Sequence, residues 1–248
     1  MSQTLGGRMR HVVERYARSM PWKLFLPVTL PIARQLKTRS LLSYEDARML
    51  ETAFELVYNN GVRGDYLEFG VYEGRSFVEA WDAADRYRLT EMRFYAFDSF
   101  TGLPEIGPDD AGGPFRRGQF RASRGLFEER LRRQGVDPRR VTIVEGMYED
   151  TLSRTNRRSV SIDRAAIAWI DCDLYASTVP VLDFLTDVLV DGAVLIFDDW
   201  YCFNGRPDRG EQRACSEWLA ANPELRLVPY QNFHWGGRSF IVNRDDRT

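Results

Sequence analysis

Ile170-Asp171-Cys172-Asp173-Leu174-Tyr175 and its later echo, Phe197-Asp198-Asp199-Trp200, decide how this chain is read. Each follows a short apolar run, Ala165–Ile170 and Ala193–Phe197, of the kind that forms a fully buried strand in a parallel sheet. The acidic residues then sit at strand C-terminal ends. If the two strands are neighbours they lie about 5 Å apart, and Asp171, Asp173, Asp198 and Asp199 crowd one edge of the sheet. Like charges that close force protonation or demand a cation. An all-oxygen donor set suits a hard divalent ion such as Mg²⁺ or Ca²⁺ better than Zn²⁺. A metal site at the open edge of an α/β sheet is expected.

Working outward, strands and helices alternate. The pattern predicts strand Tyr66–Phe69, helix Gly74–Arg88, strand Arg93–Phe97, a helix over about Gly125–Gln134, strand Val141–Glu145, and helix Thr178–Leu189 between the two acid-tipped strands. A helix over about Gly210–Ala221 follows, then two runs, Leu225–Tyr230 and Ser239–Asn243, that form a hairpin-like edge. Such alternation means a doubly wound parallel sheet. Ser177 or Thr178 is the expected cap of the helix after the first acidic cluster, with Pro180 in its first turn. Upstream, Ser43 and Asp46 have the form of a capping box, and Ala47, Leu50, Phe54 and Val57 follow at helical spacing until Asn59-Asn60-Gly61.

Glu68-Phe69-Gly70-Val71-Tyr72-Glu73-Gly74 joins the first strand to its helix, with two glycines that let backbone approach a ligand at a helix N-terminus. The third glycine of the dinucleotide fingerprint is missing, and Glu68 would repel a pyrophosphate. A ligand with a positive amino group and no phosphates fits better. Asp98 ends the second strand where an acidic residue takes ribose hydroxyls, so the ligand is expected to contain a nucleoside. Adenosine joined to a cationic amino acid is S-adenosylmethionine. The competing reading is a tight turn with an incidental glutamate, and an aspartate that caps a loop.

These blocks, together with Phe97-Asp98-Ser99-Phe100-Thr101-Gly102-Leu103-Pro104, Glu145-Gly146-Met147-Tyr148-Glu149-Asp150-Thr151-Leu152, Asp171 through Thr178 and Asp198-Asp199-Trp200, resemble the macrocin-type O-methyltransferases. The blocks stand in the family's order over roughly residues 45–240. The resemblance implies a class I methyltransferase fold, Rossmann-like, with a mostly parallel seven-stranded sheet. It also implies S-adenosylmethionine as donor, a divalent metal, usually Mg²⁺, and a sugar or phenolic hydroxyl as acceptor. Carried over by position, Asp171, Asp198 and Asp199 match the metal ligands and Asp173 the proposed general base. The donor site is expected over Glu68, Gly70, Val71, Tyr72, Gly74, Ser76, Asp98, Ser99, Phe100, Glu145, Gly146 and Asp171. Tyr72-Glu73 departs from the further glycine or Trp-Arg pair often found in the family's loop. Two readings compete: a metal-dependent oxygenase or hydrolase on a similar sheet, for which the chain lacks a histidine-plus-carboxylate iron triad, and a non-catalytic partner protein that keeps the fold.

The remaining features bound this reading. A chain of 248 residues, 44% of them hydrophobic, can bury one large core. It divides into a basic helical N-terminal extension, residues 1–42, and a methyltransferase domain, residues 43–248. In the extension Arg8, Arg10, Arg15, Arg18, Lys23, Arg34, Lys37 and Arg39 are opposed only by Glu14, which suits either membrane-surface or partner contact or a helical cap on the core. A net charge of −2 disfavours nucleic acid as a partner. Cys172, Cys202 and Cys215 have no disulfide or zinc spacing. With no signal-peptide pattern, and Pro27 and Pro31 breaking the longest apolar stretch, a cytoplasmic protein is expected. A homo-oligomer is expected as well. His234 is a second candidate base, with packing as the alternative. The stretch from Gly102-Leu103-Pro104 to Gly118 reads equally as a lid or as a solvated insertion.

Overall fold

The computed structural model describes residues 44–153 and 160–245. The expected N-terminal extension and the Ser43 half of the capping box lie outside them. The chain is helical over 44–59 (α1). Then come β1 (Asp65–Phe69), α2 (Arg75–Arg86), β2 (Phe94–Asp98), α3 (Arg124–Arg133), β3 (Val141–Glu145), the short α4 (Tyr148–Thr151), β4 (Ala165–Ile170), α5 (Tyr175–Val188), β5 (Leu189–Phe197), α6 (Gly210–Ala221), β6 (Leu225–Phe233) and β7 (Gly237–Arg244).

The seven strands form one sheet in the order β3-β2-β1-β4-β5-β7-β6, with β7 antiparallel to its neighbours. The order reverses between β1 and β4, so the crevice outside their carboxyl ends is the topological switch point where ligands of open α/β sheets bind. Alternation sorts the strand residues into two apolar layers. Tyr66, Phe94 and Trp169 pack with α1, α2 and α3 on one face, and Leu67, Phe97, Ala168 and Leu195 with α5 and α6 on the other. β4 is buried along its whole length, which is why its sequence is an unbroken apolar run.

Element boundaries moved where tertiary contacts intervene. α5 starts at Tyr175, ahead of both residues expected to cap it. Its free N–H groups are taken by a distant carboxylate: Asp110, 2% exposed, accepts from Tyr175 N at 2.8 Å and Ala176 N at 3.2 Å. Thr178 instead donates to the Leu174 carbonyl one turn back. The tip of the 102–119 segment is therefore anchored on α5 and, through Arg213 to Asp109 at 2.7 Å, on α6. β6 and β7 each run further than their apolar cores, so only 234–236 remain as the turn between them.

Candidate active site

β4 and β5 are neighbours in register, Ile170 opposite Phe197, so the residues following each emerge side by side. Asp171, Asp198 and Asp199 each offer an oxygen, and the three oxygens lie within 4.8 Å of one another. Burial, and next the charges of Asp198 and Asp199, hold the Asp171 carboxyl well above the ordinary carboxylate range. Asp199 is pushed up to about 7, first by burial and then by Asp198.

Asp199 is fastened from several sides. Its backbone N–H donates to Glu211 Oε2 at 3.1 Å, its Oδ1 accepts from the Cys202 thiol at 3.1 Å, and its Oδ2 is buried without a partner. An oriented, dry, unpartnered carboxylate oxygen beside two further acids is costly in a bare protein. A hard divalent cation would satisfy it, and the donor set fits Mg²⁺. Glu211, 1% exposed, carries its own buried unpartnered oxygen, Oε1, and burial followed by Asp199 raises its carboxyl well above the usual range. The sequence reading missed Glu211 and Cys202. The available signal was Glu211 heading the buried stripe Ala214, Cys215 and Trp218 of α6, a position where a glutamate must have a reason.

Asp173 reaches the cluster through a turn. An extended strand running on through Cys172 would put Asp171 and Asp173 on one face. Instead β4 ends at Ile170, and Asp173 adopts a left-handed φ of 62°, a conformation aspartate tolerates better than most residues. The turn buries Asp173 at 6% exposure and brings its carboxyl beside Asp199. Burial and then the charges of Asp199 and Asp198 raise Asp173 far above its ordinary value.

Across the switch point, Glu68 is wholly buried and faces α2. Ser76 Oγ donates to its Oε1 at 2.6 Å and the Tyr66 hydroxyl to its Oε2. Burial outweighs these bonds and pushes Glu68 up to about 8. Gly70, at φ 87°, is required by the protein itself: a Cβ there would stand 1.9 Å from the Asp171 carbonyl oxygen. A Cβ on Gly74 would meet the Phe127 ring at 2.5 Å. The glycines thus seat the first loop against β4 and α3.

Asp98 ties the same loop to β2, accepting from Val71 N at 2.9 Å and Tyr72 N at 3.1 Å on Oδ2, and from Phe100 N at 2.7 Å on Oδ1. Val71 and Phe100 are buried and Tyr72 is exposed. Ser99 Oγ turns inward, donating to Gly102 O and accepting from Thr101 N. Glu145 is opposite Asp98 in register and is ion-paired with Arg124 at 3.1 Å, while Gly146 N donates to Asp98 O at 3.0 Å.

His234 lies in the β6–β7 turn at φ 33°, with Nε2 3.2 Å from Asp198 Oδ1 and 3.6 Å from Asp46 Oδ1. The Asp46 carboxylate lies between His234 and Arg75, the latter at 3.4 Å. Burial, followed by the charge of Asp198, raises its carboxyl to about 7.

The family model described as macrocin-O-methyltransferase (TylF) matches residues 39–211. An 8-demethyl-8-(2,3-dimethoxy-alpha-L-rhamnosyl)-tetracenomycin-C 4'-O-methyltransferase of Streptomyces olivaceus is 30% identical over 158 residues, 61% of this chain and 58% of its own. The demethyldecarbamoylnovobiocin O-methyltransferase of Streptomyces niveus is 31% identical over 158 residues, 59% of this chain and 56% of its own. The chain thus spans less than two thirds of the length of either relative. The solved structure of the O-methyltransferase NovP is similar in fold, with a TM-score of 0.65 at 23% identity over 81% of this chain and 80% of that one. Among the described residues no helix is long and apolar enough to cross a membrane.

Proposed function

This chain belongs to the macrocin-O-methyltransferase family, and from that premise we propose that it transfers a methyl group from S-adenosylmethionine to a hydroxyl of a sugar or phenolic small molecule, with a divalent cation in the site. The observation that carries the reading is the convergence of Asp171, Asp198 and Asp199 beside the switch point, with Asp199 Oδ2 buried and unpartnered. Relatives named for methylating a rhamnosyl tetracenomycin and a novobiocin precursor support an acceptor of the glycosylated natural-product kind.

Asp171, Asp198 and Asp199 would hold Mg²⁺, which when bound lowers the pKa of a nearby hydroxyl and orients it. The loop Gly70–Gly74, Ser76 and Asp98 would hold the donor. A carboxylate has about four acceptor sites. Three on Asp98 are taken by backbone N–H groups, which leaves room on Oδ1 for a ribose hydroxyl. Asp173 is the group assigned to take the acceptor's proton as its oxygen attacks the sulfonium methyl in line. The O–CH₃ bond forms as the S–CH₃ bond breaks, and S-adenosylhomocysteine leaves. Holding the two reactants in line supplies most of the acceleration such a transfer needs.

Titration calorimetry with S-adenosylhomocysteine, followed by an assay of methyl transfer to deoxysugar-bearing and phenolic acceptors with and without Mg²⁺, tests the proposal. Binding of S-adenosylhomocysteine and transfer that stops on chelation and resumes on adding Mg²⁺ are expected. No binding, or activity that survives exhaustive chelation, would refute it.

A further inference from the structure

His234 has three conceivable roles beside the acidic cluster: proton acceptor, cation ligand or hydrogen-bond donor. The first two need a lone pair on the ring nitrogen that faces the cluster. Nε2 is that nitrogen, 3.2 Å from Asp198 Oδ1 and 3.6 Å from Asp46 Oδ1. The other nitrogen, Nδ1, accepts two backbone N–H groups, Gly236 N at 2.9 Å and Gly237 N at 3.2 Å. A nitrogen that accepts two hydrogen bonds carries no proton, so in the neutral ring the proton is on Nε2. Nε2 therefore donates to Asp198 and has no lone pair to give.

The turn is built to keep this tautomer. His234 occupies a left-handed φ of 33°, a strain that persists only where the surroundings impose it. Gly236 O accepts from Tyr201 N at 2.8 Å, which fastens the turn to the segment following Asp198 and Asp199. A Cβ on Gly237 would meet the Phe233 ring at 2.4 Å and one on Gly236 would stand 3.1 Å from Asp198 O, so the Gly236 N–H comes from a closely packed position and the Gly237 N–H from one with no room for a side chain. Phe233 packs edge-on to the imidazole at 4.5 Å, and the side chain is 7% exposed.

We propose that His234 is a positioning residue: it presents a fixed Nε2–H to Asp198, holds that carboxylate in the set with Asp171 and Asp199, and neither takes the acceptor's proton nor ligates the cation. The inference rests on the metal reading above. A carboxylate ligand is commonly oriented by such a partner, whose loss costs about 10–100-fold in metal affinity.

Two substitutions in the full chain test it. His234→Asn keeps a residue that tolerates left-handed φ but is too short to reach Asp198. His234→Gln places an amide N–H near the position of Nε2. With Mg²⁺ as titrant in calorimetry, His234→Asn is expected to bind about 10–100-fold more weakly, with kcat recovering at saturating Mg²⁺. His234→Gln should regain most of the lost affinity. Thermal melts establish that both variants fold. If His234 were the base, kcat at saturating Mg²⁺ would fall by about 10²–10⁴-fold in both variants. If it were a ligand, Mn²⁺ bound to the parent protein would show nitrogen coupling in its electron spin echo. Either result, or unchanged Mg²⁺ affinity in His234→Asn, overturns the proposal. A parent chain that binds no Mg²⁺ overturns the metal reading and this inference together, and does so before any variant is made.

Discussion

Acidic residues end several strands along the same edge of the sheet, and the two halves of that edge treat them in opposite ways. After β2 and β3, Asp98 accepts three backbone N–H groups and Glu145 is paired with Arg124, while Glu73 in the first loop is paired with Arg130. After β4 and β5, four carboxylates converge from two adjacent turns, and among the described residues the only basic group ion-paired with any of them is His234, at Asp198. Asp98, Glu145 and Glu73 serve as structural acceptors, each charge answered within the protein. The second half shows charge left over, with one oriented oxygen unpartnered. Natural folds hold such a surplus where something else supplies the missing charge.

The sharpest way to break this comparison is Asp199→Asn. Methyl transfer should fall by about 10³-fold or more, the several kcal/mol that a bound Lewis acid supplies. The metal-free variant should nonetheless melt higher than the parent at pH 8. Folding raises the Asp199 carboxyl from 3.8 to about 7, so the native state holds a proton that the unfolded chain releases. Stability from this group is present at low pH and is lost as pH rises from about 4 to about 7. Removing the carboxylate removes that loss. A variant no more stable than the parent at pH 8 would mean that the cluster carries no surplus charge.

Asp173→Asn comes next. If Asp173 takes the acceptor's proton, kcat at saturating Mg²⁺ should fall by about 10²–10⁴-fold while donor and metal affinity survive. Its place beside Asp199 offers a rival role as a holder of that ligand. Rescue of kcat by excess Mg²⁺ would decide for the rival.

On the answered half of the edge the effects should shrink. Asp98→Ala should weaken S-adenosylhomocysteine binding by about 1.5–3 kcal/mol, since the lost hydrogen bonds are to a charged group, and calorimetry measures this directly. It should also lower the melting temperature, because the N–H groups of Val71, Tyr72 and Phe100 lose their acceptor. Unchanged affinity with a lowered melt would make Asp98 purely a structural anchor. Arg124→Ala should matter least: its pair with Glu145 is half exposed, and such pairs contribute below about 1 kcal/mol. A larger loss in denaturant unfolding would erase the distinction between the two halves.

Much of the fold was legible because its signals are local. The apolar runs of β4 and β5 announced buried parallel strands, and the acids that follow each run had to emerge at one edge once the strands paired. The alternation of elements led to the doubly wound sheet, with ends misplaced by a few residues where no local signal marks them. The cap of α5 was misjudged because its acceptor, Asp110, lies 65 residues before Tyr175. Gly70 and Gly74 were singled out for a ligand's close approach, while the contacts that demand them within the protein, the Asp171 carbonyl and the Phe127 ring, belong to other elements.

What the sequence determined by itself is the order of elements, the edge at which the acids gather and the family to which the chain belongs. These follow from periodicity, from turn chemistry and from motifs whose members are close along the chain. What only the tertiary structure decided is how each acid is held: Asp173 turned onto Asp199 by a left-handed residue, Asp199 fastened by Cys202 and Glu211, and Asp198 facing the Nε2–H of a histidine whose tautomer is set by two glycine N–H groups. The physical reason is that a proton's position depends on which donors and acceptors meet across space. Sequence spacing constrains that only within a single helix, strand or turn.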